Sequence, residues 1–342
     1  PGICYAITAA TLMDAHRLAA GEPPSSPLTA PLSVALLYKT ANPAGRRIPN
    51  DRAKLAQGLL GHGSVALAID SASGKPLCDQ RWFEKFDSLT GSKETSSTTS
   101  FIAASLDQIS KWENLVAYLQ TPEAPTRELE CKDVVNDYFL VRGEEKNLNH
   151  ILAVMNFNLR QENPAKKLGQ FLENLCQPHQ HQAKIPKPAI FQAAEVPGVE
   201  AELSALQRKI ARTNSAHARE KIEAEIVGLQ LKALDSQATE LARKAQELLS
   251  GPNPVPFAIE YSPAVLYGKF GVLPEHTSVV VGREFNEKTQ TCDLLVRNSY
   301  GASCIRDGQA YAYPCVDGTI AVPAHELMRA TAKLTWLPHP KR

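Results

Sequence analysis

Three residues of the right types for covalent catalysis stand far apart in a chain of 342 residues. Cys4 sits where a helix begins, in Gly2-Ile3-Cys4-Tyr5-Ala6; His276 opens an apolar strand, HTSVVVG; and Asn298 ends another, LLVRNSYG. The thiolate is the nucleophilic form of cysteine, and a helix amino terminus stabilises negative charge through its dipole and free N–H groups. An imidazole beside it can take the thiol proton and later give it to a leaving amine. An amide side chain can accept a hydrogen bond from the imidazole and fix its tautomer and angle. Each residue also has a plainer account: an inert core thiol, a satisfied histidine at a strand start, and an Asn that merely closes a strand.

The elements that must position them follow from apolar periodicity. Residues 4–20 read as an Ala-rich helix that stops before Gly21-Glu22-Pro23-Pro24, and residues 31–39 as a second apolar helix. A short helical pattern over 51–60 precedes Gly61-His62-Gly63-Ser64, after which VALAIDSA predicts another helix; the Ser/Thr-rich stretch 88–100 reads as a loop. Residues 101–120 and 150–161 carry amphipathic helical patterns, and 177–199 reads as a Pro-containing loop. His179 and His181 in that loop lack Cys or acidic neighbours, so they read as solvated; neither metal nor cofactor is expected. Over 198–250, Leu203, Leu206, Ile210, Ile222, Ile226 and Leu229 recur at three- and four-residue spacing among charges. That pattern predicts a coiled-coil-like helix or helical hairpin, roughly 75 Å long if continuous. After Gly251 the period becomes two, with strands expected over 255–261, 276–285, 292–300 and 318–323. The layout is α+β with an all-helical insertion: 1–100, then 101–250, then 251–342.

Composition narrows the partners. With 43% hydrophobic residues the chain is globular in character, and 37 basic against 36 acidic side chains give no reason to expect nucleic acid. No run of about 18 apolar residues predicts a membrane span. None of the seven cysteines forms a C-x-x-C pair, against zinc ribbons and thioredoxin chemistry. Seven is odd; one special thiol plus three disulfides, or seven free thiols of a cytosolic protein, would each account for it. Cys304 with Cys315 is the favoured pair, against Cys292 with Cys304 or both free.

The motifs together resemble those of papain-like cysteine peptidases. Gly2-Ile3-Cys4-Tyr5-Ala6 is similar to the family's nucleophile motif on its long central helix, HTSVVVGREF to its His strand, and LLVRNSYG to its Asn-Ser-Trp-Gly segment with Tyr300 replacing Trp. PVPFAIEY is similar to the strand before the His, and Gly61-His62-Gly63-Ser64 lies where the family has a Gly-Gly loop lining the substrate cleft. His276 and Asn298 follow Cys4 by roughly 270 and 290 residues, where the family pattern has about 130–150. The excess is close to the helical block, whose removal leaves about 190 residues. The resemblance covers about 1–100 and 251–342.

The resemblance implies a two-lobed fold, with a helical left lobe and an antiparallel β right lobe, and a cleft with Cys4 and His276 on opposite walls. It implies hydrolysis of polypeptide substrates through a Cys4 thioester, with His276 as base and Asn298 as orienter. Gly61, His62, Gly63 and Ser64 would line the substrate cleft, and Ser299 and Tyr300 would shield Asn298 from water. It also implies a Gln six residues upstream of the nucleophile as an oxyanion donor, a position that precedes Pro1. The opening Pro-Gly-Ile-Cys, without Met or signal core, reads as a processed precursor or a fragment. Loss of one oxyanion donor costs about 10²–10³ in rate, so this stretch alone is expected to be a weak catalyst. A secreted or periplasmic location is expected. The alternative is a papain-like scaffold, weak or inactive in catalysis, that binds a protein partner through 101–250; a self-inhibitory cover by that block is a third possibility.

Overall fold

The computed structural model describes residues 4–41, 63–80, 180–182, 185–269, 271, 276–298, 304–306 and 309–340. The expected elements over 51–60, 88–100, 101–120 and 150–161 lie outside the described residues. The chain is mixed helix and antiparallel sheet, α+β, and divides into two compact units, one running to Pro186 and the other from Lys187.

In the first unit, α1 (Cys4–Ala19), α2 (Pro31–Ala41) and α3 (Val65–Ala72) pack on one another. Their contact faces are rich in small residues, with Ala6, Ala9, Ala10, Ala35, Ala66, Ala68 and Ala72 all buried, so the helices approach closely around Tyr5, Leu12, Met13, Val34 and Ile69. A polar clasp ties the end of α1 to the chain that follows. Asp14 accepts from Thr29 N at 2.9 Å and from Thr29 Oγ1 at 2.7 Å, and buried Arg17 donates to Glu22 at 2.6 Å and to Pro27 O at 3.0 Å. Strand β1 (Pro76–Cys78) pairs antiparallel with β2 (Gln180–Gln182), so part of the expected 177–199 loop is strand.

The second unit is built on a seven-stranded antiparallel sheet in the order β3-β11-β4-β5-β6-β10-β9. Its strands are β3 (Ala189–Phe191), β4 (Phe257–Tyr261), β5 (His276–Asn286), β6 (Thr291–Arg297), β9 (Cys315–Val316), β10 (Thr319–Pro323) and β11 (Thr331–Trp336). Two short strands, β7 (Ile305–Arg306) and β8 (Gln309–Ala310), form a separate pair. The charged, Leu-patterned stretch is a hairpin of α4 (Val199–Arg212) and α5 (Ala216–Ser250), broken where Ser215 caps α5 by accepting from Ala218 N. The last part of α5 turns inward: Ala238, Leu241, Ala245 and Leu248, spaced three and four apart, pack with α6 (Ala324–Arg329) and the sheet residues Phe257, Ile259, Val280 and Leu334. α5 thus belongs to the core of the β-rich unit, and the boundary expected at 250 does not coincide with that between the compact units.

Candidate functional site

Cys4 is the first residue of α1, partly buried and a free thiol. The next side chain, Tyr5, plunges into the three-helix core, with its ring centroid 5.1 Å from that of Tyr38. The two neighbours therefore have opposite tasks. One anchors the first turn and the other stands at the helix start, where unpaired N–H groups and the dipole favour negative charge. The Tyr5 hydroxyl is buried without a hydrogen-bond partner, and burial, then Tyr38 and Cys4, drive its pKa up, so it stays protonated. Gly63 lies directly on this ring: a Cβ there would meet Tyr5 Cε2 at 2.6 Å. Glycine is needed at 63 because the backbone itself packs against the aromatic side chain beside Cys4. Ser64 follows as the N-cap of α3, without a side-chain capping bond. Gly61 and His62 lie outside the described residues.

The second unit brings His276 and Asn298 together. His276 is the first residue of β5 and pairs with Tyr261 on β4; both are buried, and their rings meet edge to face at a centroid distance of 5.5 Å. Val279 pairs with Arg297 on β6, so continuing that register sets Asn298 opposite Ser278, diagonal to His276 on one face. Asn298 Oδ1 lies 3.3 Å from His276 Nε2, with both residues buried. An amide oxygen only accepts, so this bond puts the proton on Nε2 and leaves Nδ1 as the basic nitrogen. Tyr261 Oη lies 3.1 Å from Ser278 Oγ and completes a polar row on that face.

Two devices hold Asn298. Asp317 and Gly318, at φ 48° and 72°, form a two-residue turn between β9 and β10, and Gly318 O accepts from Asn298 N at 3.1 Å. The side chain is held by Tyr311, whose hydroxyl accepts from Asn298 Nδ2 at 2.5 Å. Tyr311 escaped the sequence reading, because only the chain path after β6 brings residue 311 back to residue 298. The shielding residues expected there, Ser299 and Tyr300, lie outside the described residues.

Cys304 and Cys315 are disulfide-bonded, and Cys78 is bonded as well, whereas Cys292 is free and exposed on β6. Among the described residues no group of His, Cys, Asp and Glu is arranged to hold a metal ion, and no helix is long and apolar enough to cross a membrane. The first unit thus carries a free thiol at a helix amino terminus, and the second an imidazole hydrogen-bonded to an amide side chain. No family model, curated protein or solved structure matches the chain.

Proposed function

We propose that this chain is a cysteine endopeptidase of papain-like, two-lobed architecture, acting on polypeptides in a secreted or periplasmic setting. The observation that carries this reading is the buried His276 Nε2···Asn298 Oδ1 contact of 3.3 Å, an arrangement a nucleophile's base needs and a simple strand end does not. Cys4 at the head of α1 supports it from the other half. The disulfides at Cys78 and between Cys304 and Cys315 agree with an oxidising compartment.

In the reaction, the Cys4 Sγ–H proton passes to His276 Nδ1 while sulfur attacks the scissile carbonyl carbon. The tetrahedral oxyanion then collapses, expelling the amine, which takes the proton from Nδ1, and leaves a Cys4 thioester. Water attacks the thioester with the same nitrogen as base, releasing acid and free thiol. Asn298 stays hydrogen-bonded to Nε2 throughout and keeps Nδ1 aimed at the reacting atoms. Catalysis requires the Cys4 thiol and Nδ1 to come within about 3–3.5 Å of each other.

The test is hydrolysis of an unfolded protein substrate by the chain and by Cys4→Ala and His276→Ala. Both variants should lose turnover while remaining folded. Turnover that survives Cys4→Ala would defeat the reading. A partner-binding scaffold has one observation in its favour, the exposed Val227 and Leu231 on α5. It predicts capture of a protein without cleavage, lost in the double variant Val227→Glu/Leu231→Glu.

A further inference from the structure

We propose that the amino-terminal half of α5 is the contact surface for a second copy of this chain, whose α5 crosses it antiparallel at Gly228. The inference is independent of the peptidase reading and gives the exposed Val227 and Leu231 one occupant. Ala224, Val227, Gly228 and Leu231 are all exposed and recur at three- and four-residue spacing, that of a helix-pairing stripe. At about 3.6 residues per turn, the stripe lies half a turn from Ile222, Ile226 and Leu229, the buried and half-buried side chains turned to α4. α4 therefore leaves it uncovered. Glu220 bounds the stripe at one end, and at the other stands Asp235, already paired with Arg329 at 2.8 Å. Gly228 is a separate observation. It sits inside a 35-residue helix without positive φ, and an added Cβ would meet nothing within 4 Å. Among the described residues nothing requires glycine there, and an exposed mid-helix glycine weakens the helix relative to alanine. On an apolar stripe, glycine lets a second helix backbone approach closely.

Charge decides which helix fits. Glu225 and Lys232 are both exposed, lie on one edge of the stripe about two turns apart, and make no ion pair among the described residues. They flank Gly228, Glu225 before it and Lys232 after it. A two-fold axis near Gly228 brings like edges of two antiparallel helices together. Glu225 of each copy then meets Lys232 of the other, two pairs from one symmetry operation. Parallel helices instead bring opposite edges together and set Glu225 against Glu220 of the other copy, a like-charge contact. The stripe is thus self-complementary in the antiparallel sense alone. One helix crossing buries far less than the roughly 1,600 Å² of a standard interface, so the dimer is weak and concentration-dependent.

Sedimentation equilibrium of the full chain over a broad concentration range reads the association, with circular dichroism to confirm that each variant is folded. The parent chain should form a reversible dimer. Glu225→Lys and Lys232→Glu should each weaken it by about 5- to 30-fold, since either change turns two exposed pairs repulsive at once. The double variant Glu225→Lys/Lys232→Glu should regain parent-like association. So should an equimolar mixture of the two single variants, because each combination restores both pairs. Gly228→Leu enlarges the apolar surface yet blocks the close crossing, so it should weaken the dimer, whereas adventitious apolar sticking would be strengthened by it. A parent chain that stays monomeric overturns the proposal, including one that holds a different protein on the stripe. Charge reversals without effect, or a mixture of single variants that fails to associate, overturn it equally.

Discussion

Replacing Gly63 with Ala probes the join between the start of α3 and the first turn of α1. The added Cβ would lie 2.6 Å from Tyr5 Cε2 and 2.7 Å from both Cδ2 and Cζ. Carbon atoms rest at about 3.5–4.0 Å, so ring or loop must yield by roughly 1 Å. The ring has little room to retreat: Tyr5 is 1% exposed and already packs on Tyr38. Overpacking of this kind costs about 1–3 kcal/mol. Tyr5 is also covalently adjacent to Cys4, and on the peptidase reading a misplacement of that thiol by about 1 Å can cost on the order of 100-fold in rate. Urea denaturation and the iodoacetamide rate at Cys4 would be measured for Gly63→Ala, Tyr5→Val and the double variant. Valine lacks the three atoms in conflict, so Gly63→Ala should cost less than about 0.5 kcal/mol in that background, a clear non-additivity. An equal cost in both backgrounds would refute the idea that ring contact dictates glycine at 63.

Further outcomes follow from the same geometry. Gly318→Ala places a side chain at φ 72° in the turn that accepts from Asn298 N; it should destabilise the chain by about 1–2 kcal/mol and, on the peptidase reading, slow Cys4 alkylation, whereas a stability loss with unchanged reactivity would tell against a role of this turn in that reading. Replacing both Cys304 and Cys315 by Ser should cost about 3 kcal/mol by thermal or urea unfolding, the loop-closure value for a bond spanning 11 residues, and a loss below about 1 kcal/mol would contradict it. Although Arg17 lies 3.1 Å from Asp14, burial outweighs that pairing and the bonds from Thr29, and the Asp14 carboxyl is raised. Folding therefore favours the protonated acid: its contribution is present below the unfolded carboxyl's titration and is lost as pH rises through the raised folded value. Asp14→Asn should flatten that dependence in denaturation profiles taken upward in pH from the ordinary carboxylate range, and an unchanged profile would contradict the assignment.

What the sequence made legible were strong local signals. The apolar run HTSVVVG marks the buried half of β5, and the Ala-rich stretch after Cys4 marks α1. Asp317-Gly318 carries the Asp-Gly signal of a two-residue hairpin turn, and both residues take positive φ there. β11, TAKLTW, escaped because Thr and Lys break its apolar pattern, yet tertiary pairing between β3 and β4 buries Thr335 and Leu334. The hairpin break after Arg212 was open to either interpretation, since charge patterning on α4 and α5 continues across Thr213-Asn214-Ser215 and only the Ser215 cap marks the new start. Cys4, His276 and Asn298 could be nominated by type and motif. Tyr311 and the Tyr5–Gly63 contact could not, because each depends on side chains brought together across long stretches of chain.

Cys4 and Cys292 provide the most direct measurement, because the chain carries its own control. Both are free thiols, and Cys292 is the more exposed. By accessibility alone Cys292 should react first. The peptidase account predicts the reverse: limiting iodoacetamide at about pH 6, read by peptide mass mapping of the folded chain, labels Cys4 before Cys292, and His276→Ala removes the preference. Labelling of Cys292 with Cys4 left unmodified until the chain is unfolded would contradict the account.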